Sequence, residues 1–319
     1  MKTALTSCFL CLLVGLIVAL SLSLGAVKLS VEQVISGFTS SSEFYFTIHE
    51  YRLPRTILAI LVGGMMALSG ALVQGVIRNP LASPDVLGIS QGAGLAAVLL
   101  MTVFPSISIS WLPWAALSGG FLSALLLWCL CGSHSNAIKL ALTGIAMAAL
   151  YSSAVDFLML TRPLEINNAL LWLTGSLWGR SWDQITMLLP WVILVPLGFA
   201  LSKKLNLISL GDDAATSLGQ SIPKTRLLAL AAAVGLTASC VSICGPIGFL
   251  GLIAPHIARR LVGGQHQLLL PCAMLVGMII LLLADLMARI INPPIELSAG
   301  IMTAIIGAPY FLWLLVKIK

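Results

Sequence analysis

Residues 54–75 read PRTILAILVGGMMALSGALVQG, and residues 78–85 just beyond read RNPLASPD. Between Arg55 and Arg78 no side chain carries a charge. A helix crossing about 30 Å of hydrocarbon needs roughly 20 mostly apolar residues, because each adds about 1.5 Å of rise. This run supplies them. Its apolar residues are continuous rather than alternating with a period of two, so it reads as a transmembrane helix and not as a strand of a closed barrel. Gly63, Gly64, Ser69, Gly70 and Gly75 place small side chains at helical spacing, which lets membrane helices approach closely. Pro80 and Pro84 stop that helix and start the next, since proline lacks an N–H and restricts the residue before it. Small residues return at Gly88, Gly92, Ala93 and Gly94.

The same texture runs through the whole chain. Of 319 residues, 59% are apolar and 9% are charged, against roughly 25% charged in an ordinary soluble domain. The mean hydropathy is +1.05. Too little polar surface is available to cover a water-soluble globule. Backbone groups in lipid must be satisfied internally, and with barrels excluded the fold class is an all-α polytopic membrane protein. Ten spans are expected, at 4–26, 54–75, 86–104, 112–131, 139–160, 183–202, 227–244, 247–261, 268–288 and 299–316. The run near 247–261 is the shortest and is broken by Pro246, Pro255 and glycines. The chain is expected to form a single transmembrane domain, 1–319.

Lysine and arginine set the orientation, because cytoplasmic loops carry the excess. With the N-terminus inside, Lys2, Arg78, Lys139, Lys203, Lys204, Lys224, Arg226, Arg259, Arg260, Lys317 and Lys319 fall on the cytoplasmic side. Lys28, Arg52, Arg55, Arg162, Arg180 and Arg289 fall outside, a split of 11 to 6 among the 17. Both termini are therefore expected on the cytoplasmic side of the membrane. The formal charge of +6 follows from this asymmetry and is no argument for nucleic acid.

Several chemistries are discounted. Cys8, Cys11, Cys129, Cys131, Cys240, Cys244 and Cys272 sit in or beside apolar runs without the His, Asp and Glu company of a metal site, so they read as small buried hydrophobes. Leu5-Thr6-Ser7-Cys8 faintly resembles a lipoprotein cleavage site, but no apolar stretch precedes it, and the first span is expected to remain as an anchor. Gly88-Ile89-Ser90-Gln91-Gly92 fits a nucleophile elbow only in an α/β sheet, which is missing here. No phosphate-binding G-x-x-x-x-G-K-[ST] run occurs, so the chain has to borrow its energy. No metal or cofactor is expected. Asp156 and Asp285 lie at or within spans, where a carboxylate is a functional candidate by default; near the external interface they could equally pair with Arg162 and Arg289. His256, after Pro255, reads as structural.

Two segments exceed a tight turn: an external loop at 27–50 and a cytoplasmic segment at 203–226. In the second, Asp212 and Asp213 suit the first turn of a short helix, Gly219 its C′ position, and Pro223 the start of a second short helix. Two such helices between spans would make a rigid knob for a partner protein. On pattern alone a plain solvated loop reads equally well.

A second distinctive run is Gly245-Pro246-Ile247-Gly248-Phe249 continuing to Pro255-His256. Together with Arg52-Leu53-Pro54-Arg55, Asn79-Pro80-Leu81-Ala82, Leu210-Gly211 through Leu218-Gly219, and Gly307-Ala308-Pro309, it makes the chain resemble the FecCD-type permeases, the family of importers with a BtuC-like fold. The match covers nearly the whole length. Within that family, Asn167 through Trp172, Gly175, Trp178 and Arg180 look most like the D-type subunits of ferric dicitrate permeases.

The resemblance implies a permease subunit of an ATP-driven ABC importer that brings an iron(III) chelate (ferric dicitrate or a siderophore) from periplasm to cytoplasm, with haem or cobalamin as alternative cargo. It implies a sister permease, favouring a paralogue and thus a heterodimer, two cytoplasmic ATPases and a periplasmic binding protein. It also implies roles. Asn79 and Leu81 match one ring of a cytoplasmic gate, and Ala137 and Ile138 lie where a second ring falls. Thr143, Ser152 and Ser153 would line the pathway. Leu210, Gly211, Ala214, Ala215, Leu218 and Gly219 match the helices that seat in the ATPase. Arg52, Arg55 and Arg289 match external arginines that meet acidic residues of the binding protein. Because a helix N-terminus already carries positive partial charge, Arg52 and Arg55 need an acidic compensator, either Glu50 or the partner. Two rival classes stand beside this one: an ion-coupled secondary transporter using Asp156 or Asp285, and a membrane-embedded enzyme, for which no cluster of polar catalytic residues is found.

Overall fold

A computed structural model describes residues 2–132, 137–162 and 166–317. In chain order its helices are α1 (Lys2–Ser23), α2 (Val31–Ser36), α3 (Leu53–Ile77), α4 (Ile89–Val103), α5 (Leu112–Cys131), α6 (Ala137–Thr161), α7 (Ile166–Leu173), α8 (Trp182–Leu188), α9 (Leu194–Ala200), α10 (Ser202–Ser209), α11 (Asp212–Ser217), α12 (Ile222–Cys244), α13 (Leu250–Val262), α14 (His266–Ile290) and α15 (Ala299–Lys317). No strand occurs among the described residues.

Each of the ten expected spans has a helical counterpart. Eight helical stretches among the described residues are long and apolar enough to cross a membrane. The two that fall short are α4, with 15 residues, and α13, with 13. Both begin behind an irregular segment, the turn 78–88 before α4 and Gly245–Phe249 before α13. Non-helical backbone at membrane depth is tolerated only where protein buries it or water reaches it. The sixth expected span, 183–202, is the one most altered. It is α8, a 3-10 turn at Leu189–Ile193 and α9 in succession, because Pro190 and Pro196 each remove a backbone donor and crowd the preceding turn.

The stretch that decides the fold is also its centre. In the most apolar 18-residue stretch of Phe46–Ile77, 83% of the residues are buried, against 17% in that of Thr3–Ser23. α3 packs on α14, α12 and α13, and glycines set how closely. A Cβ on Gly63 would come 2.6 Å from the carbonyl oxygen of Gly277 on α14, and one on Gly70 would come 1.8 Å from that of Gly251 on α13. Neither separation admits a methyl group, so the small-residue spacing read from the sequence is what allows these crossings. Ser69 adds a polar tie, donating to the Ala233 carbonyl on α12 at 2.8 Å with Thr237 Oγ1 at 2.7 Å.

The external loop expected at 27–50 is partly ordered into helix. Ser30 and Gln33 cap each other's backbone at the start of α2, and Phe46–Arg52 is a π-helical turn running straight into α3. The knob at 203–226 also differs from its expected form. Its two short helices are α10 and α11, and Pro223 instead opens the long helix α12. Gly219 does end α11 in the left-handed conformation, φ +78°.

Candidate functional site

The irregular segments before α4 and α13 meet α6 around a cavity of ≈ 650 Å³. Ser83, Asp85, Ser90, Gln91, Ser152, Asp156 and Thr174 supply its polar lining, and Gly248 and Gly300 its small residues. The cavity gives the interrupted backbone the polar surroundings it needs. Ser90 Oγ donates to Asp85 Oδ1 at 2.6 Å, holding that carboxylate against the wall. Ser152 reaches this cavity, and Ser153 beside it is exposed on α6. Thr143 lies nine residues from Ser152, about 180° around a helix turning roughly 100° per residue, so it faces away. Among the described residues no ion pair joins Asp156 to Arg162. Asp156 is exposed and lines the cavity.

At one end of the bundle lies the turn 78–83. Asn79 folds back on it, its Oδ1 accepting from the Leu81 N–H at 2.9 Å. Pro80 and Leu81 lie against Leu252, Ile253 and His256 of α13 and against Tyr310, Phe311 and Leu314 of α15. Ile138, near the start of α6, is 70% exposed, while the side chain of Ala137 lies outside the described residues.

The knob occupies the same end. Ala214 of α11 and Leu218 at its end are exposed and, four residues apart, share one face of that helix; Leu210, at the end of α10 and before the non-helical Gly211, is exposed as well. Ala215 is fully buried. It was expected on the docking face, but the helix turns it inward, and the exposed apolar residues of the knob are Ala214, Leu218 and Leu210.

At the other end the three expected docking arginines are buried: Arg52 is 4% exposed, Arg55 1% and Arg289 2%. Arg55 Nε donates to both oxygens of Asp285, at 2.9 and 3.2 Å, and its Nη1 donates to Glu296 Oε2 at 2.5 Å. Arg289 Nη2 meets Asp285 Oδ2 at 3.1 Å, and its Nη1 donates to the Ser21 carbonyl at 3.1 Å. Arg52 donates to the carbonyls of Leu22, at 2.6 Å, and Val27. Ser21 and Leu22 belong to the last turn of α1, whose carbonyls have no partner along the helix and favour a cation. The expectation of solvent-facing arginines is therefore corrected. Their compensators are Asp285 and Glu296 of this chain together with the end of α1, and Glu50 pairs instead with His49, Nδ1 to Oε1 3.0 Å. The pairing of Asp285 with Arg289 is found.

Glu296 was not singled out in the sequence, although an arginine pair in want of an acid should have prompted a search of every loop at that end of the bundle. Beside this cluster a larger cavity, ≈ 1560 Å³, opens between the 25–29 segment, α7 and the 294–298 loop, with Trp172, Trp178, Arg180 and Gln184 on its wall.

A helical bundle spanning a membrane many times, wrapped on a polar-lined cavity and carrying a rigid apolar knob at one end, is the form of a transport permease. The chain belongs to the FecCD transport family, whose pattern matches residues 11–317. It is 48% identical over 301 residues to the Fe(3+) dicitrate transport system permease protein FecD of Escherichia coli (strain K12), covering 94% of each chain. It is also 48% identical to the Fe(3+)-citrate import system permease protein YfmE of Bacillus subtilis (strain 168), covering 93% of this chain and 90% of that one. A solved chain described as an inward-facing metal-chelate type ABC transporter superposes with a TM-score of 0.87 at 33% identity, covering 99% of this chain and 100% of that one.

Proposed function

We propose that this chain is the membrane-spanning subunit of an ATP-driven importer that carries an iron(III) chelate, of the ferric dicitrate or siderophore kind, into the cytoplasm of a bacterial cell. The observation that carries the reading is the end-to-end match, at 48% identity, to two permeases named for ferric citrate. The geometry supports it. Cargo of this size and polarity needs a wide, weakly binding lumen, and the 650 Å³ cavity beside α6 is lined by hydroxyls, an amide, two carboxylates and small residues. A sister permease, a paralogue by the likeness to D-type subunits, would close the pathway on that face. Asn79 and Leu81 narrow it at the knob end, with Ala137 and Ile138 as the second ring. The exposed apolar residues of the knob, Ala214 and Leu218 on α11 with Leu210 at the end of α10, seat an ATPase, one of two in the assembly. Both termini lie in the cytoplasm, and a periplasmic binding protein delivers cargo to the opposite end.

The test is iron uptake by a strain lacking its own citrate-dependent system and supplied with this chain, its sister permease, ATPase and binding protein. Radioactive ferric citrate should accumulate only when all four are present and the ATPase is active. Uptake that survives an inactive ATPase and collapses with the proton gradient would instead assign the chain to ion-coupled transport through Asp156.

A further inference from the structure

The turn carrying Asn79 and Leu81 starts at Arg78, which ends α3 in the left-handed conformation, φ +56°. A non-glycine residue persists there only when its surroundings hold it. What holds Arg78 is in the knob: its Nη2 lies 3.0 Å from Asp212 Oδ1. The same carboxylate accepts from Arg226 Nη2, 3.0 Å from each of its oxygens. Asp212 is the first residue of α11, entered through Gly211 at φ +111°, a value that favours glycine. One side chain therefore joins the knob, the end of α3 and the start of α12.

The other knob helix is fastened elsewhere. Asn206 of α10 accepts from the His266 backbone N–H at 2.9 Å and donates to Gln267 Oε1 at 2.6 Å, both at the head of α14. A displacement of α11 relative to α10 thus pulls on Arg78 and leaves α14 in place. The link is also suited to breaking and re-forming, since Asp212 is 39% exposed and Arg78 35%, where water can replace either partner at small cost.

We propose that Asp212 is a positioning residue of the transport cycle, relaying movement of the ATPase-facing knob to the gate turn through Arg78, while Arg226 fixes the carboxylate. The inference rests on the knob as ATPase seat and on 78–81 as gate. With Asp212 neutral, two guanidiniums would face each other and the turn would come free of the knob.

The experiment uses the full transporter in proteoliposomes and reads ATP hydrolysed per chelate imported, alongside copurification of the ATPase. Asp212→Asn should keep the ATPase bound and raise that ratio about threefold or more. Asp212→Glu should restore it, and Asp213→Asn, one residue along on the exposed face, should leave it unchanged. Adding Arg78→Gln to Asp212→Asn should produce no further rise, because both remove one link. An unchanged ratio in Asp212→Asn, additive effects of the two substitutions, or an equal effect of Asp213→Asn would overturn the relay. Loss of the ATPase from Asp212→Asn would overturn it too, by making Asp212 a docking residue. If the unsubstituted transporter neither retains an ATPase nor couples uptake to ATP, it is the importer reading that fails.

Discussion

Each end of this bundle has one aspartate held between two arginines, yet the two arrangements are physically different. At the end away from the knob Asp285 joins Arg55 of α3 to Arg289 of its own helix, with side chains 1–2% exposed. At the knob end Asp212 joins Arg78 to Arg226, with the aspartate 39% and Arg78 35% exposed. Buried ion pairs are costly to assemble but far more costly to break one-sidedly, because the remaining charge has no water to turn to. Partly exposed pairs contribute little and exchange readily with solvent. The buried triad is therefore a rivet between α3, α14 and the end of α1, while the one at the knob is a joint that can open during a cycle.

The contrast is most exposed to disproof at Asp285. Asp285→Ala leaves Arg55 and Arg289 buried with one carboxylate, Glu296, between them, and is expected to cost about 3–5 kcal/mol, read as loss of monodisperse protein on detergent extraction. A variant as stable as the parent would mean these two arginines are hydrated after all. Glu296→Gln should cost less, about 1.5–3 kcal/mol, since Arg55 keeps both bonds to Asp285; thermal unfolding in detergent ranks the two. Asp212→Asn comes last, with about 0.2–1 kcal/mol of stability lost, so that any change in transport reflects coupling and not folding. Equal destabilisation by the Asp285 and Asp212 substitutions would erase the distinction.

Leu81→Ala sharpens the comparison from the gate side. Leu81 lies against α13 and α15 next to the joint, so truncation should raise ATP turnover without cargo while leaving stability within the range of an ordinary part-exposed substitution. ATPase rates measured with and without binding protein check this.

Much of the architecture was legible because hydropathy is local: ten apolar runs became ten helical stretches, and Gly63 and Gly70 turned out to sit where α3 closely crosses α14 and α13. What was not legible depends on register or on distance along the chain. Whether Ala214 or Ala215 faces out is a matter of 100° on one short helix, and the sequence around them is too uniform to decide it. Arg55 and Asp285 are separated by 230 positions, so nothing local announces their pairing, and the arginines looked like exposed cations at a helix head. The break within 182–200 was foreshadowed by Pro190 and Pro196, but hydropathy alone draws it as one span. On the regular helix α6, Ser152 lies on the cavity and Thr143, nine residues away, points to the opposite side.

The most direct measurement of the central claim, that the knob seats an ATPase, is site-specific crosslinking from its free face. With a photoreactive residue in place of Leu218, which is 61% exposed, irradiation of membranes containing all the importer's subunits should yield an adduct with the nucleotide-binding subunit, and Ala214→Arg in the same chain should abolish it. If position 218 gives only lipid adducts, while the ATPase still copurifies and iron citrate is still imported, the knob is not where the energy enters and the account is contradicted.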